Sequence, residues 1–136
     1  MEETEIEELK QKLELQRRDV LQFLTRLQRE TQSLDADSTQ DSADRCVIST
    51  SRECLFQQSS QRRTLLRLIE AALRRIADGS FGMCVACGDD IRDRRLMAVP
   101  WTQFCLRCQE ELEEEIRSNV AARFHTPVAV AGKRVA

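Results

Sequence analysis

The chain has 136 residues, 32% of them charged and only 4% aromatic, with five Phe, one Trp, no Tyr and a formal net charge of −2. That length holds one compact domain or a small domain with an extension, and so few rings exclude a large globular core. The slightly acidic balance makes the chain a poor candidate for non-specific duplex binding, which needs a surplus of Lys and Arg, and no apolar run approaches the length of a membrane span.

Residues 2–34 read as one long helix. Ile6, Leu13, Val20, Leu27 and Leu34 recur every seven residues, Leu9 and Phe23 stand three later, and Leu24 widens the stripe. Gln16 and Glu30 interrupt the second row and weaken what is otherwise a coiled-coil seam. No Pro or Gly occurs in the segment, so the helix should run unbroken for roughly 45–50 Å at ~1.5 Å per residue. Asp35-Ala36-Asp37-Ser38-Thr39-Gln40-Asp41-Ser42-Ala43-Asp44 then breaks the pattern with four Asp, no basic residue and the small polar types that favour turns and caps.

A second helix is predicted from about Asp44 to Asp78. Ile48, Leu55, Ile69 and Ile76 keep the seven-residue spacing, Arg62 interrupts it, and Leu65, Leu66, Leu68, Ala72 and Leu73 broaden the apolar face. Neither stripe is wide enough to be stable alone. Arms of similar length joined by one turn favour an antiparallel hairpin over an intermolecular coiled coil. The later half of the second arm is basic (Arg62, Arg63, Arg67, Arg74 and Arg75), which suits an acidic partner surface or a simple solvated face.

Gly79 is placed to end the second helix. Beyond it stand two Cys-x-x-Cys pairs, Cys84-Val85-Ala86-Cys87 and Cys105-Leu106-Arg107-Cys108, separated by 17 residues. That spacing predicts a single tetrahedral zinc site: each pair supplies two thiolates from a tight turn, and the spacer returns the chain to close the tetrahedron. Gly88, just after the first pair, suits the positive φ of such a turn. Four sulfurs leave no position for water or substrate, so the metal is read as structural. An iron site of the rubredoxin type has the same geometry. Two disulfides would need an oxidising compartment, and Met1-Glu2-Glu3-Thr4-Glu5 has neither the basic start nor the apolar stretch of a signal peptide, so a reducing, cytoplasmic setting is expected. A thioredoxin-like redox site would need a βαβ setting. Ligation of one Zn²⁺ by four thiolates would take the net charge to about −4.

Phe81, Ile91, Leu96, Val99, Trp101 and Phe104 are the candidate core of this module. Glu110 to about Phe124 reads as a closing helix with Glu in its first turns, where the helix dipole favours negative charge. The predicted fold class is therefore mainly α. An antiparallel coiled-coil hairpin covers residues 1–78 with an acidic tip near 35–45, a four-cysteine zinc-finger module with a C-terminal helix covers 79–125, and residues 126–136 form a flexible tail. His125 is not needed as a ligand when four thiolates are in place.

A hairpin of this length suits a probe that reaches into a recess, and its distinctive chemistry is at the end. Asp41 and Asp44 are a carboxylate pair able to approach a bound Mg²⁺ or a basic wall. They serve equally as a helix cap and a dipole partner of the second arm.

The hairpin, Asp41-Ser42-Ala43-Asp44-Arg45 at its turn, Gly82 before Cys84, the framework of Cys84, Cys87, Cys105 and Cys108, and Arg94-Arg95-Leu96-Met97-Ala98-Val99-Pro100 together resemble the DksA/TraR family of bacterial RNA polymerase-binding transcription factors. The resemblance covers nearly the whole chain. It implies a regulator without enzymatic activity that inserts the hairpin into the secondary channel of RNA polymerase, places its tip near the catalytic Mg²⁺ and alters promoter open complexes without binding a DNA sequence. Asp41, Asp44, Arg45 and Cys46 are then the polymerase-contacting residues, with Cys46 where the family usually has Ala. Cys46 and Cys54, eight residues apart on one helix, stand about 12 Å apart along it and cannot pair. The resemblance also aligns Leu68, Val99 and Gln109 with basic positions at which family members bind guanosine tetraphosphate. None of the three can neutralise a phosphate, so a weak or absent alarmone response is expected, with Arg67 and Arg107 as neighbouring substitutes. The chain starts directly on the first arm, without the extra N-terminal segment of longer members, which implies looser packing of hairpin on module. A monomer is expected. The competing functions are a Gre-like helper of transcript cleavage, which shares the hairpin but not the four cysteines, a nucleic-acid-binding zinc module, and a redox enzyme at the cysteines. The acidic balance and scarcity of rings disfavour the nucleic-acid module.

Overall fold

The computed structural model describes residues 1–36 and 42–124, the side chains of 35, 36, 42–44 and 124 excepted. Its elements are α1 (Glu3–Ala36), α2 (Ser42–Asp78), α3 (Asp93–Ala98) and α4 (Leu106–Phe124). At ~1.5 Å per residue, α1 and α2 are rods of roughly 50 and 55 Å. They pair antiparallel. Arg17 Nε of α1 lies 3.6 Å from Glu70 Oε1 of α2, and Phe23, later in α1, lies under Arg62, earlier in α2.

The seven-residue rows form the seam. Leu9, Leu13, Val20 and Leu27 of α1 and Ile69 and Ala72 of α2 are buried. Ile6, Leu34, Ile48, Leu55 and Ile76 are half-buried. Packing is therefore closest at the base of the rod, where Leu65, Leu66 and Leu73 gather around Leu13, Val20, Ile69 and Ala72. The three polar interruptions end differently, Glu30 simply standing exposed. Arg62 lays its guanidinium 4.6 Å from the centroid of the Phe23 ring, so a cation–π contact takes the place of an aliphatic pair. Gln16 keeps its amide oxygen buried with no hydrogen-bond partner.

Helix α2 stops where Gly79 adopts φ +75°. Ser80 N–H donates to Arg75 O at 2.9 Å and Gly79 N–H to Ile76 O at 3.3 Å, the paired bonds of a Schellman motif. The chain then turns back against the base of the rod. Phe81 packs into both clusters, touching the hairpin core on one side and the group of Leu9, Cys84, Ile91, Leu96 and Cys108 on the other. Trp101 packs on the hairpin cluster. Lys12 Nζ donates to Met97 O at 3.2 Å. Arg75 donates to Thr102 O at 3.3 Å and also to Met83 O. Leu9, Lys12, Phe81, Arg75 and Trp101 thus join module to hairpin.

Two elements depart from expectation. The six-residue α3, between the cysteine pairs, was not foreseen, because a helix this short does not display a 3.6-residue period. Helix α4 begins at Leu106, about one turn before Glu110, and has no acidic residue in its first turn. The second cysteine pair occupies that turn, so Glu110–Glu115 lie beyond the reach of the dipole. From Glu110 to Arg123 every residue of α4 is exposed, with Leu112, Ile116 and Val120 aligned along one side. No described helix is long and apolar enough to cross a membrane.

Candidate metal centre, adjoining groove and hairpin tip

The four cysteines come together. Their Sγ atoms all lie within 4.8 Å of one another, Cys84 and Cys108 buried and Cys87 and Cys105 half-buried. Cys87 Sγ and Cys105 Sγ are 3.8 Å apart. That separation is too long for a disulfide, which needs about 2.05 Å. It matches the edge of a tetrahedron whose corners stand ~2.3 Å from a central zinc, about 3.8 Å. The donor set therefore fits zinc, which Cys84, Cys87, Cys105 and Cys108 could hold.

Backbone turns set this geometry. Gly88, at φ +76°, closes the first turn by donating to Cys84 O at 2.9 Å, and Cys84 N–H donates to Asp89 O at 2.8 Å. Gly82, at φ +89°, accepts from Ile91 N–H at 2.6 Å. The second pair sits at the start of α4, where Cys105 O accepts from Gln109 N–H at 3.0 Å. The halves are stitched directly: Val85 N–H donates to Gln103 O at 2.9 Å, and Cys105 N–H points at Cys84 Sγ at 3.3 Å.

The metal-free thiols differ in acidity. Burial pushes the Cys84 thiol up, but the backbone N–H groups of Cys105, Cys87 and Ala86 outweigh it and bring the pKa down to about 6. Cys108 goes the other way, to about 12, through its contact with Cys105 and through burial. Cys84 thus gives up its proton more readily than Cys108, and the thiols that are still protonated must lose their protons when a metal binds. Zinc affinity therefore falls as pH falls. Arg107 sits close to this charge: Glu111, 3.7 Å away, and then the sulfurs of Cys108, Cys87 and Cys105 raise its pKa.

Two arginines were not singled out as structural from sequence. Arg75, read as part of a basic strip, is half-buried between α2 and the module, and burial lowers its pKa while nearby Cys84 raises it. Its position four residues before Gly79, between Ala72 and Ile76, was the available signal. Arg95 donates from Nε to Phe104 O at 3.1 Å, and Thr102 Oγ1 donates to the same oxygen at 3.1 Å.

Leu68, Val99 and Gln109 line one groove of 540 Å³ with Trp101, Phe104 and Leu112. Its one basic lining residue is Arg95, and Glu110 and Glu113 add negative charge. Arg67 and Arg107, the expected substitutes, do not line it. Asp41 and the side chain of Asp44 lie outside the described residues. Arg45 and Cys46 are exposed on the first turns of α2, and Cys54 is exposed further along it. The expected tail, 126–136, also lies outside the described residues.

A family described as the prokaryotic dksA/traR C4-type zinc finger matches residues 79–114, which contain all four cysteines. The RNA polymerase-binding transcription factor DksA of Caulobacter vibrioides is 32% identical over 121 residues, 86% of this chain and 82% of that protein. An uncharacterized protein of Aquifex aeolicus is 34% identical over 112 residues, covering 81% of this chain and 77% of its own length. Among solved structures, transcription factor DksA2 from Pseudomonas aeruginosa superposes with a TM-score of 0.74 at 26% identity, over 86% of this chain and 89% of that one.

Proposed function

This chain belongs to the DksA/TraR family of prokaryotic C4 zinc-finger proteins, and we propose that it regulates transcription by binding RNA polymerase directly and performs no reaction of its own. The hairpin enters the secondary channel, and Asp41 and Asp44 act at its far end on promoter open complexes. One zinc, held by Cys84, Cys87, Cys105 and Cys108, fixes the module against the base of the rod. The factor works as a cytoplasmic monomer and reads no DNA sequence.

The observation that carries this reading is a compact base, built around the four-sulfur cluster and packed by Phe81, Lys12 and Arg75 against a hairpin of roughly 50 Å. A closed thiolate site offers no catalytic position, so the reach of the rod is what remains to perform a function. The groove of Leu68, Val99 and Gln109 supports a second element: with apolar walls and two Glu on its lining, it cannot neutralise a tetraphosphate. Alarmone is therefore expected to leave the factor's promoter effect unchanged.

The test is a titration of purified core polymerase with the full-length zinc-loaded protein, followed by competition with a known secondary-channel ligand. Saturable binding that the competitor displaces supports the reading. Absence of binding, or binding that the competitor does not touch, overturns it.

A further inference from the structure

The charge of this chain is segregated. Residues 10–34 and 45–76, the shaft of the hairpin, carry thirteen Lys and Arg against five Asp and Glu, a net +8 in a chain whose total is −2. On α2, Arg52, Phe56, Arg63, Arg67 and Arg74 follow one another at spacings of four, seven, four and seven residues. At 3.6 residues per turn these positions fall within about 60° of one another and form one longitudinal face. All five are exposed, and Phe56 is 70% exposed. Arg52, Phe56 and Arg63 border a groove of 560 Å³ between the two arms.

An aromatic ring held out in water between two guanidinium groups is the composition that dominates protein–protein affinity: an anchor for a partner's pocket, with arginines beside it for paired charge. A net charge of +8 along the shaft sets the sign of the partner surface as acidic. Single-stranded nucleic acid is the other polyanion to consider. It is held by successive stacking rings, and the other ring of the shaft, Phe23, is already covered by Arg62.

We propose that Phe56, framed by Arg52 and Arg63, is the affinity anchor of the hairpin, entering an apolar socket in an acidic protein surface of RNA polymerase. The inference rests on the polymerase-binding reading and deepens it. Phe56 stands twelve residues beyond Asp44, about 18 Å along α2, so the anchor grips the shaft while the carboxylates act at the end. Binding and action are thereby assigned to different stretches of one helix.

The experiment is a dissociation-constant measurement between full-length zinc-loaded protein and purified core polymerase, at low and moderate salt. Phe56→Ala is expected to weaken binding at least tenfold, and Arg52→Glu with Arg63→Glu to weaken it comparably, with unchanged circular dichroism. Val47→Ala, which trims an apolar side chain 67% exposed on the opposite face of α2, should stay within twofold of wild type. Wild-type binding that Phe56→Ala leaves within twofold would overturn the anchor while sparing the proposed function. Failure of the wild type to bind would overturn both. Tight binding of a single-stranded oligonucleotide that Phe56→Ala abolishes would reassign the face to nucleic acid and overturn the protein socket.

Discussion

At Cys108 a single atom separates a closed centre from an open one. Replacing its sulfur with the oxygen of Ser leaves three thiolates, and the small core around Ile91 and Leu96 is too slight to hold the module without the metal. Cys108→Ser is expected to lower bound zinc well below one per chain and to change the fluorescence of Trp101, the sole Trp. Metal analysis and an emission spectrum check this. Gly88 sits at φ +76°, and apart from its own residue and chain neighbours no atom lies within 4 Å of the place a Cβ would take, so Gly88→Ala isolates the backbone cost. About 1–2 kcal/mol of destabilisation is expected, read from denaturant melts of zinc-loaded protein. A loss near zero would contradict the turn geometry. Gly79, Gly88 and the convergence of the four cysteines were legible in the sequence because spacing and backbone handedness are local properties. Arg75 and Arg95 were not, because their acceptors are carbonyls of an irregular segment whose path only the folded chain defines.

Helix by helix, periodicity succeeded where the elements are long. The rows of Leu13, Val20 and Leu27 predicted the buried seam of α1, and the apolar face seen to broaden in the later half of α2 is where the rod packs closest. It failed for α3, whose six residues span less than two turns, and it began α4 a turn late because the cysteine pair has no amphipathic signature. Gln16 was legible as a flaw in the seam, and its buried oxygen has no partner. Gln16→Leu removes that desolvated group and adds apolar area, so a gain of about 1 kcal/mol in urea unfolding is expected. A loss would mean that the amide has a role in the seam. The far part of α4 supports the opposite expectation. Residues 110–123 are all exposed, and a helical stretch of that length without tertiary packing is marginal in water. Its amides should exchange with solvent far faster than those of Leu13–Val20 and Ile69–Ala72. Equal protection by hydrogen exchange would contradict this.

Over the whole molecule, the metal, the clasp at the base and the hairpin form one mechanical unit. Phe81 bridges the two hydrophobic clusters, and Arg75 and Lys12 bond across the same joint, so the orientation of the rod is tied to the integrity of the centre. The charge pattern is divided along the chain, with the basic shaft segments flanking the acidic stretch 35–44. Net charge alone hid that division, because the acidic ends cancel the shaft in the total. The central claim is that carboxylates at the far end act once the rod is bound. In vitro transcription with purified polymerase and saturating factor, on stable-RNA and biosynthetic promoters, tests it most directly when wild type is set against the double variant Asp41→Asn, Asp44→Asn. The account predicts that the variant still binds polymerase while its promoter output returns to the level without factor. A variant that keeps the full promoter effect would contradict it.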